Sequence, residues 1–153
     1  MADGTPYPFC EASAMSLSIR NQLPGTVTAV ARGEVMATVK VRIGGGQELT
    51  AAITLDAVKE LGLAEGSAVR AMVKSTEVAL ATGRVSGLSI RNQVPGTVTD
   101  VAVGGAMATV KVAVDGGELT SAITKDAVDD LGLAAGAPVV ALIKSTEVSL
   151  ATG

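Results

Sequence analysis

Two short polar stretches occur twice in this 153-residue chain, and each is rich in hydrogen-bond donors and poor in acids. Ser18-Ile19-Arg20-Asn21-Gln22 returns as Ser89-Ile90-Arg91-Asn92-Gln93, and Lys74-Ser75-Thr76-Glu77-Val78 returns as Lys144-Ser145-Thr146-Glu147-Val148. Hydroxyls, an ammonium, a guanidinium and backbone N–H groups in that combination suit a small oxyanion. A buried dianion must have its oxygens satisfied, and hydrogen bonds from a charged group contribute about 1.5–3 kcal/mol each. Several converging donors would give micromolar binding or better even after desolvation. A fully deprotonated oxyanion needs donors only, whereas a protonated phosphate needs an acceptor, and size helps to exclude sulfate.

Taken singly, the same residues have plainer roles. A lysine at a strand end is ordinarily a solvated surface residue. Arg20 and Arg91 could form surface pairs, or contribute their backbone more than their side chain. Ser18, Asn21 and their twins could cap turns, and Thr54 and Thr124 read as helix caps rather than ligands. What argues for a site is the duplication of lysine together with its hydroxyl neighbours.

The elements that must hold these stretches repeat as well. The first stretch recurs at an offset of 71 and the second at 70, because one glycine of Gly44-Gly45-Gly46 has no counterpart beside Gly116-Gly117. Loss of one residue at a glycine turn is well tolerated. Those glycines lack a Lys-Ser/Thr sequel, so they are a hairpin turn rather than a phosphate loop. Val35, Ala37, Val39, Val41 and Ile43 alternate with Met36, Thr38, Lys40 and Arg42, the pattern of a strand with one buried face. Ala106, Ala108, Val110, Val112 and Val114 do the same in the second copy, followed by a short strand from Glu118 to Thr124. A further strand is expected after a Pro-Gly turn, over Gly25–Val30 and again over Gly96–Val101. Thr54 to Gly62 and Thr124 to Gly132 each carry a possible N-cap, an early acid and a terminal glycine, the marks of a two-turn helix. In the last strand the odd parity of Val69, Ala71 and Val73 gives way to the even parity of Thr76, Val78 and Leu80. The slip predicts a bulge at Lys74-Ser75, and at Lys144-Ser145, that exposes N–H groups beside hydroxyls and an ammonium.

Five short strands and one small helix, twice over, predict a mainly β protein: two tandem Greek-key barrels of oligonucleotide/oligosaccharide-binding (OB) type. The expected organisation is an arm at residues 1–15, flexible or docking on a partner, a first domain at 16–83, a linker at 84–88 and a second domain at 89–153. The short linker suggests that the barrels pack against one another. Units of this size bury only about 60% of their unfolded surface, so oligomerisation is the expected way to bury more.

Composition removes several function classes. Histidine is absent and Cys10 is the single cysteine, so disulfides within the chain, the usual metal ligands and a cysteine nucleophile are all excluded. Tyr7 and Phe9, both in the arm, are the only aromatics, and the net charge is −3, so neither base stacking nor a basic groove recommends nucleic acid. Charges interrupt every apolar run well before membrane-spanning length, and no N-terminal targeting pattern is present. The default expectation is a cytoplasmic protein without catalytic machinery, organic cofactor or directly ligated metal, working as an oxyanion binder. A structural assembly module with the arm as docking peptide is the competing class.

The ordered set Ser-Ile-Arg-Asn-Gln then Pro-Gly-Thr-Val, Ile-Thr-x-x-Ala-Val-x-x-Leu-Gly-Leu, and Lys-Ser-Thr-Glu-Val resembles the molybdate-binding Mop (molbindin) family. Both repeats match it, as in the family's tandem di-Mop, TOBE-like form. The resemblance implies OB-like barrels, assembly as homotrimers, and molybdate or tungstate held between subunits for buffering or storage. By motif, it implies an oxyanion site at Ser18, Ile19, Arg20 and Asn21 with Lys74, Ser75 and Thr76, and a twin at Ser89, Ile90, Arg91 and Asn92 with Lys144, Ser145 and Thr146. The two elements of each site are implied to meet across a subunit boundary. Ile19 and Ile90 stand where the family has alanine, as do Ser75 and Ser145, and Thr76 and Thr146 replace serine, which keeps hydroxyls but crowds the pocket. Met36-Ala37-Thr38 and Met107-Ala108-Thr109 replace the family's Asn-Ala-Glu, the polar residues on which additional axial sites depend.

Overall fold

The computed structural model describes residues 17–153, and the expected arm, with Tyr7, Phe9 and Cys10, lies outside the described residues. Each repeat begins with a long strand, β1 (Asn21–Arg32) or β6 (Asn92–Val103). A hairpin follows, β2 (Met36–Arg42) with β3 (Glu48–Thr54), and β7 (Met107–Val114) with β8 (Gly117–Thr124). Then come a short helix, α1 (Leu55–Leu61) or α2 (Lys125–Leu131), and a buried strand, β4 (Ala68–Val73) or β9 (Pro138–Ile143). A last short strand closes each repeat, β5 (Val78–Ala81) and β10 (Ser149–Ala151). The result is mainly β, with two five-stranded sheets of OB-like connectivity and two short helices.

The predicted elements form for the reasons expected. Thr54 and Thr124 cap the helices, their hydroxyls accepting from the Ala57 and Ala127 N–H groups at 3.1 Å, and Gly62 and Gly132 end them at φ 63°. Ala37, Val39, Val41 and Ile43 are buried, as are Ala108, Val110 and Val112. Val35, at 73% exposure, departs from the predicted inward face, and so does exposed Ala106, because both lie in the turns before their strands.

The expected Pro-Gly turn is absent: β1 and β6 run straight through Pro24-Gly25 and Pro95-Gly96. Asn21–Thr26 pairs with β4, whereas pairing with β2 begins only at Thr26, so the proline lies where one flank of the strand has no ladder to complete. Glycine follows for a steric reason, since a Cβ on Gly25 would sit 2.6 Å from Val41 Cγ1 and one on Gly96 2.5 Å from the Ala113 carbonyl oxygen. The long strand is thus shared by two neighbours at its two ends, and the irregularity that bends it is a bulge at Thr28, repeated at Thr99.

The parity slip at Lys74-Ser75 is not a bulge within one strand. The chain leaves β4 at Val73, turns through a 3-10 turn at Ser75–Glu77, and enters the other sheet. Strand order is β10-β4-β1-β2-β3 in one sheet and β5-β9-β6-β7-β8 in the other, so each repeat donates its final strand to its twin. Val78 pairs with Ile143, and Ser149 with Met72. The exchange explains why β9 is buried on both faces from Val139 to Ile143, and why Ala71, Met72 and Val73 are too. One apolar core therefore contains Val39, Val41 and Ala71 of the first repeat together with Val94, Leu119, Ala141 and Ile143 of the second.

Two buried asparagines complete the docking. Asn92 Nδ2 donates to the Thr50 carbonyl at 2.8 Å while the Thr50 N–H donates to Asn92 Oδ1 at 2.8 Å. Asn21 makes the same pair with Thr120, at 2.8 and 2.7 Å. Each side chain thus completes the outer edge of β3 or β8 as a backbone amide would. The glycine turns also meet, so closely that a Cβ on Gly44 would lie 2.6 Å from Gly116 Cα. Asn92→Ala strands the N–H and C=O of Thr50, and urea denaturation should show a loss of about 1–3 kcal/mol, with Asn21→Ala giving a similar figure; an unchanged midpoint would contradict this role.

Candidate functional site

Antiparallel register brings the two repeated polar stretches together. Asn92 pairs with Ile143 at the end of β6 and β9, so continuing both strands by one residue sets Arg91 beside Lys144, and the next residues bring Ser89-Ile90 to Ser145-Thr146. Asn21 and Val73 impose the same proximity on Arg20 and Lys74. Residues 18–20 and 89–91 lie just before β1 and β6, and residues 74–77 and 144–147 just after β4 and β9, all outside the strands. Each belongs to the irregular segment where a ladder has ended, so its N–H groups need no sheet partner.

Ser89, Ile90, Lys144, Ser145 and Thr146 line one open cavity of about 260 Å³. Three of these residues carry a hydroxyl and Lys144 an ammonium, four side-chain donor groups among the five residues that line the cavity. Ser145 and Thr146 belong to the 3-10 turn Ser145–Glu147, closed by the Glu147 N–H donating to the Lys144 carbonyl at 2.9 Å, which fixes the path of the chain past them. Both elements come from the second repeat, so the pocket's lining is assembled within one chain.

Two further cavities straddle the repeats and are twins of one another. Ile19, Met72, Val73 and Lys74 face Thr146, Glu147 and Ser149 across about 180 Å³. Ile90, Leu142 and Lys144 face Thr76, Glu77 and Ala79, with Ala122 and Ile123, across about 230 Å³. Strand exchange is the cause, since the turn that precedes β5 or β10 crosses to the other barrel and lies beside that barrel's lysine. Thr146 and Lys144 each line two of these three cavities, so the polar stretches form one connected zone between the repeats.

The expected site residues divide accordingly. Ser89, Ile90, Lys144, Ser145 and Thr146 are gathered in one pocket, and Ile19, Lys74 and Thr76 contribute to the cavities between repeats. Ser18, Arg20, Ser75 and Arg91 lie outside these three cavities, with both arginines exposed. Asn21 and Asn92, each 2% exposed, have both ends of their amides engaged by Thr120 and Thr50, so only their backbone is left for a ligand.

Residues overlooked at the level of sequence include Glu77 and Glu147, which line the cavities between the repeats together with Lys144 and Lys74 respectively. Their signal was in the duplicated Lys-Ser-Thr-Glu string, but only strand exchange places each acid in a cavity with the other repeat's lysine. Gln22 and Gln93 are the other addition. Gln22 Nε2 donates to the Ile19 carbonyl at 2.9 Å, and Gln93 Nε2 donates to the Ile90 carbonyl at 3.2 Å.

The fold defines a tandem OB-like β-barrel module with a donor-lined pocket. The TOBE domain profile matches residues 17–80 and again 88–150, and the chain belongs to the TOBE-domain family. Among similar proteins, the molybdenum-pterin-binding protein MopB of Rhodobacter capsulatus is 41% identical over 148 residues, covering 95% of this chain and 55% of that protein. The molybdenum transport protein ModE of Herbaspirillum seropedicae is 39% identical over 140 residues, 90% of this chain and 52% of that protein. The chain therefore spans about half the length of these two relatives. Molybdenum-pterin-binding protein 2 of Clostridium pasteurianum is 50% identical over 64 residues, 42% of this chain and 94% of that protein. Among solved structures, the cytoplasmic molybdate-binding protein ModG, with molybdate bound, superposes with a TM-score of 0.86 at 44% identity, covering 91% of this chain and all of that one (100%).

The two glutamates give the site a testable electrostatic signature. Neutralising them as Glu77→Gln with Glu147→Gln removes negative charge from beside the lysines. Isothermal titration calorimetry at low salt should show a doubly negative oxyanion binding roughly two- to threefold more tightly, with the gain shrinking as salt rises.

Proposed function

We propose that this chain binds molybdate or tungstate without transforming it, and serves to buffer or store the ion in the cytoplasm. The observation that carries this reading is the cavity lined by Ser89, Ile90, Lys144, Ser145 and Thr146, in which both family-type elements face one space. A tetrahedral dianion has only acceptors to offer. Lys144 neutralises part of its charge, the Ser89, Ser145 and Thr146 hydroxyls rotate to donate, and the N–H groups of the irregular segments complete the shell. The equivalent residues Ser18, Ile19, Arg20, Asn21, Lys74, Ser75 and Thr76 form the twin site. Similarity to ModG, whose structure holds molybdate, supports the ion's identity. In this reading the metal is carried as its oxyanion and is held through its oxygen atoms.

Assembly as a homotrimer belongs to the same proposal. Val35, Met36, Val103 and Met107 are large apolar side chains exposed around the β1–β2 and β6–β7 turns, and we assign them to self-association. The open mouths of the pockets would then be closed by a neighbouring subunit, with residues 1–15 as an arm and 84–88 as the linker between domains 16–83 and 89–153.

Two measurements test the proposal. Calorimetric titration with sodium molybdate should show tight uptake that Lys74→Ala combined with Lys144→Ala weakens by roughly tenfold or more; undiminished uptake would refute the assignment of the lysines. Native mass spectrometry with and without molybdate should show a trimer carrying a whole number of ions, and a saturable monomer would overturn closure of the sites by assembly.

A further inference from the structure

Gln93 is buried to 6% exposure, and its amide is used at both ends. Its Nε2 donates to the Val85 carbonyl at 2.8 Å and to the Ile90 carbonyl at 3.2 Å, while its Oε1 accepts from the Val85 N–H at 3.0 Å. The opposite amide orientation would set an oxygen against two carbonyl oxygens, so the contacts fix the rotamer. One side chain therefore ties the connection between the repeats, at Val85, to the loop that lines the pocket, at Ile90. Gln22 repeats the key contact in the first repeat, donating to the Ile19 carbonyl at 2.9 Å.

A trans peptide is rigid and points its C=O and N–H in opposite directions. Anchoring the Ile90 carbonyl inward therefore turns the next N–H, that of Arg91, the other way, on the loop whose Ser89 and Ile90 line the cavity. We infer that Gln93 is a positioning residue for oxyanion binding, which locks the Ile90–Arg91 peptide plane so that the Arg91 N–H is presented to the ion, with Gln22 doing the same for Arg20. This rests on the oxyanion reading above. Arg91 itself is exposed and is not among the residues lining the cavity, so what it can offer the ion is the N–H of the peptide it shares with Ile90, which does line it. A preset N–H is worth more than a mobile hydroxyl, because no rotamer entropy is lost when the ion arrives.

The test is titration of the 15N-labelled full chain with sodium molybdate, alongside calorimetry of two variants. In the unmodified protein the Arg91 and Arg20 amide resonances should be among those that move most. Gln93→Glu keeps the shape and the acceptor but loses both donors, and Gln93→Met keeps only the bulk. Each should weaken uptake at the second-repeat site by roughly tenfold, leave the first-repeat site unchanged, and abolish the Arg91 shift, as expected for a lost positioning hydrogen bond. A purely structural role predicts something else: a lower melting temperature without molybdate, with unchanged affinity in the folded fraction. That result, or an Arg91 amide indifferent to molybdate while the unmodified chain still binds it, would overturn the inference and leave the proposed function standing. Failure of the unmodified chain to take up molybdate would sink the functional reading and this inference with it.

Discussion

The arrangement depends on an amide side chain standing in for a strand. The outer edges of β3 and β8 would each present an open backbone N–H and C=O in the middle of the interface between repeats, where no further strand can fit. Asn92 and Asn21 supply one donor and one acceptor at the required spacing, and each does so from the residue that begins the long first strand of the other repeat. An apolar residue there would leave two polar groups unpaired, and an aspartate would lack the donor. Satisfying these edges lets the two sheets approach, and approach lets each repeat's last strand reach its twin's sheet.

The exchange of β5 and β10 then determines what the polar stretches can do. Had each last strand folded back on its own barrel, Lys74 and Thr76 would serve one unit and Lys144 and Thr146 the other. Instead the turns cross over, and Thr146 lies both beside Lys144 and across from Lys74. The same crossing puts a glutamate and the other repeat's lysine in the lining of one cavity, twice over. In each cavity between the repeats the lysine therefore comes from one repeat and the threonine and glutamate from the other, which links the chemistry of the pockets to the covalent order of the chain.

The duplication is not perfect, and the departures are physically legible. Ser121, fully buried, donates to the Val78 carbonyl at 2.6 Å, whereas its counterpart Ala51 has no hydroxyl to give. The first repeat's donated strand β5 is also longer than β10, four residues against three, so the two exchanged strands are not held equally. The first glycine turn carries the extra residue and packs Gly44 against Gly116 so closely that neither position has room for a side chain.

Period and local chemistry were enough to read the barrel class, the helix caps at Thr54 and Thr124, the β2–β3 and β7–β8 hairpins and the donor character of the duplicated stretches. Each of these follows from interactions within a few residues. The Pro-Gly segments misled because a proline reads as a turn unless one knows that its strand has no ladder on that side, and this is decided by where β2 begins to pair. The parity slip at Lys74-Ser75 was visible, but whether it marks a bulge or a departure to another sheet depends on which edge is free to receive the strand. In the first motif Asn21 and Asn92 read as ligands or turn caps, and Gln22 and Gln93 suggested no role. Only tertiary structure separates Asn92, spent on Thr50, from Gln93, which holds the Ile90 carbonyl. Local sequence thus determined which donors exist, and the packing of two repeats determined which of them face a common space, because convergence of donors is a property of distance rather than of order along the chain.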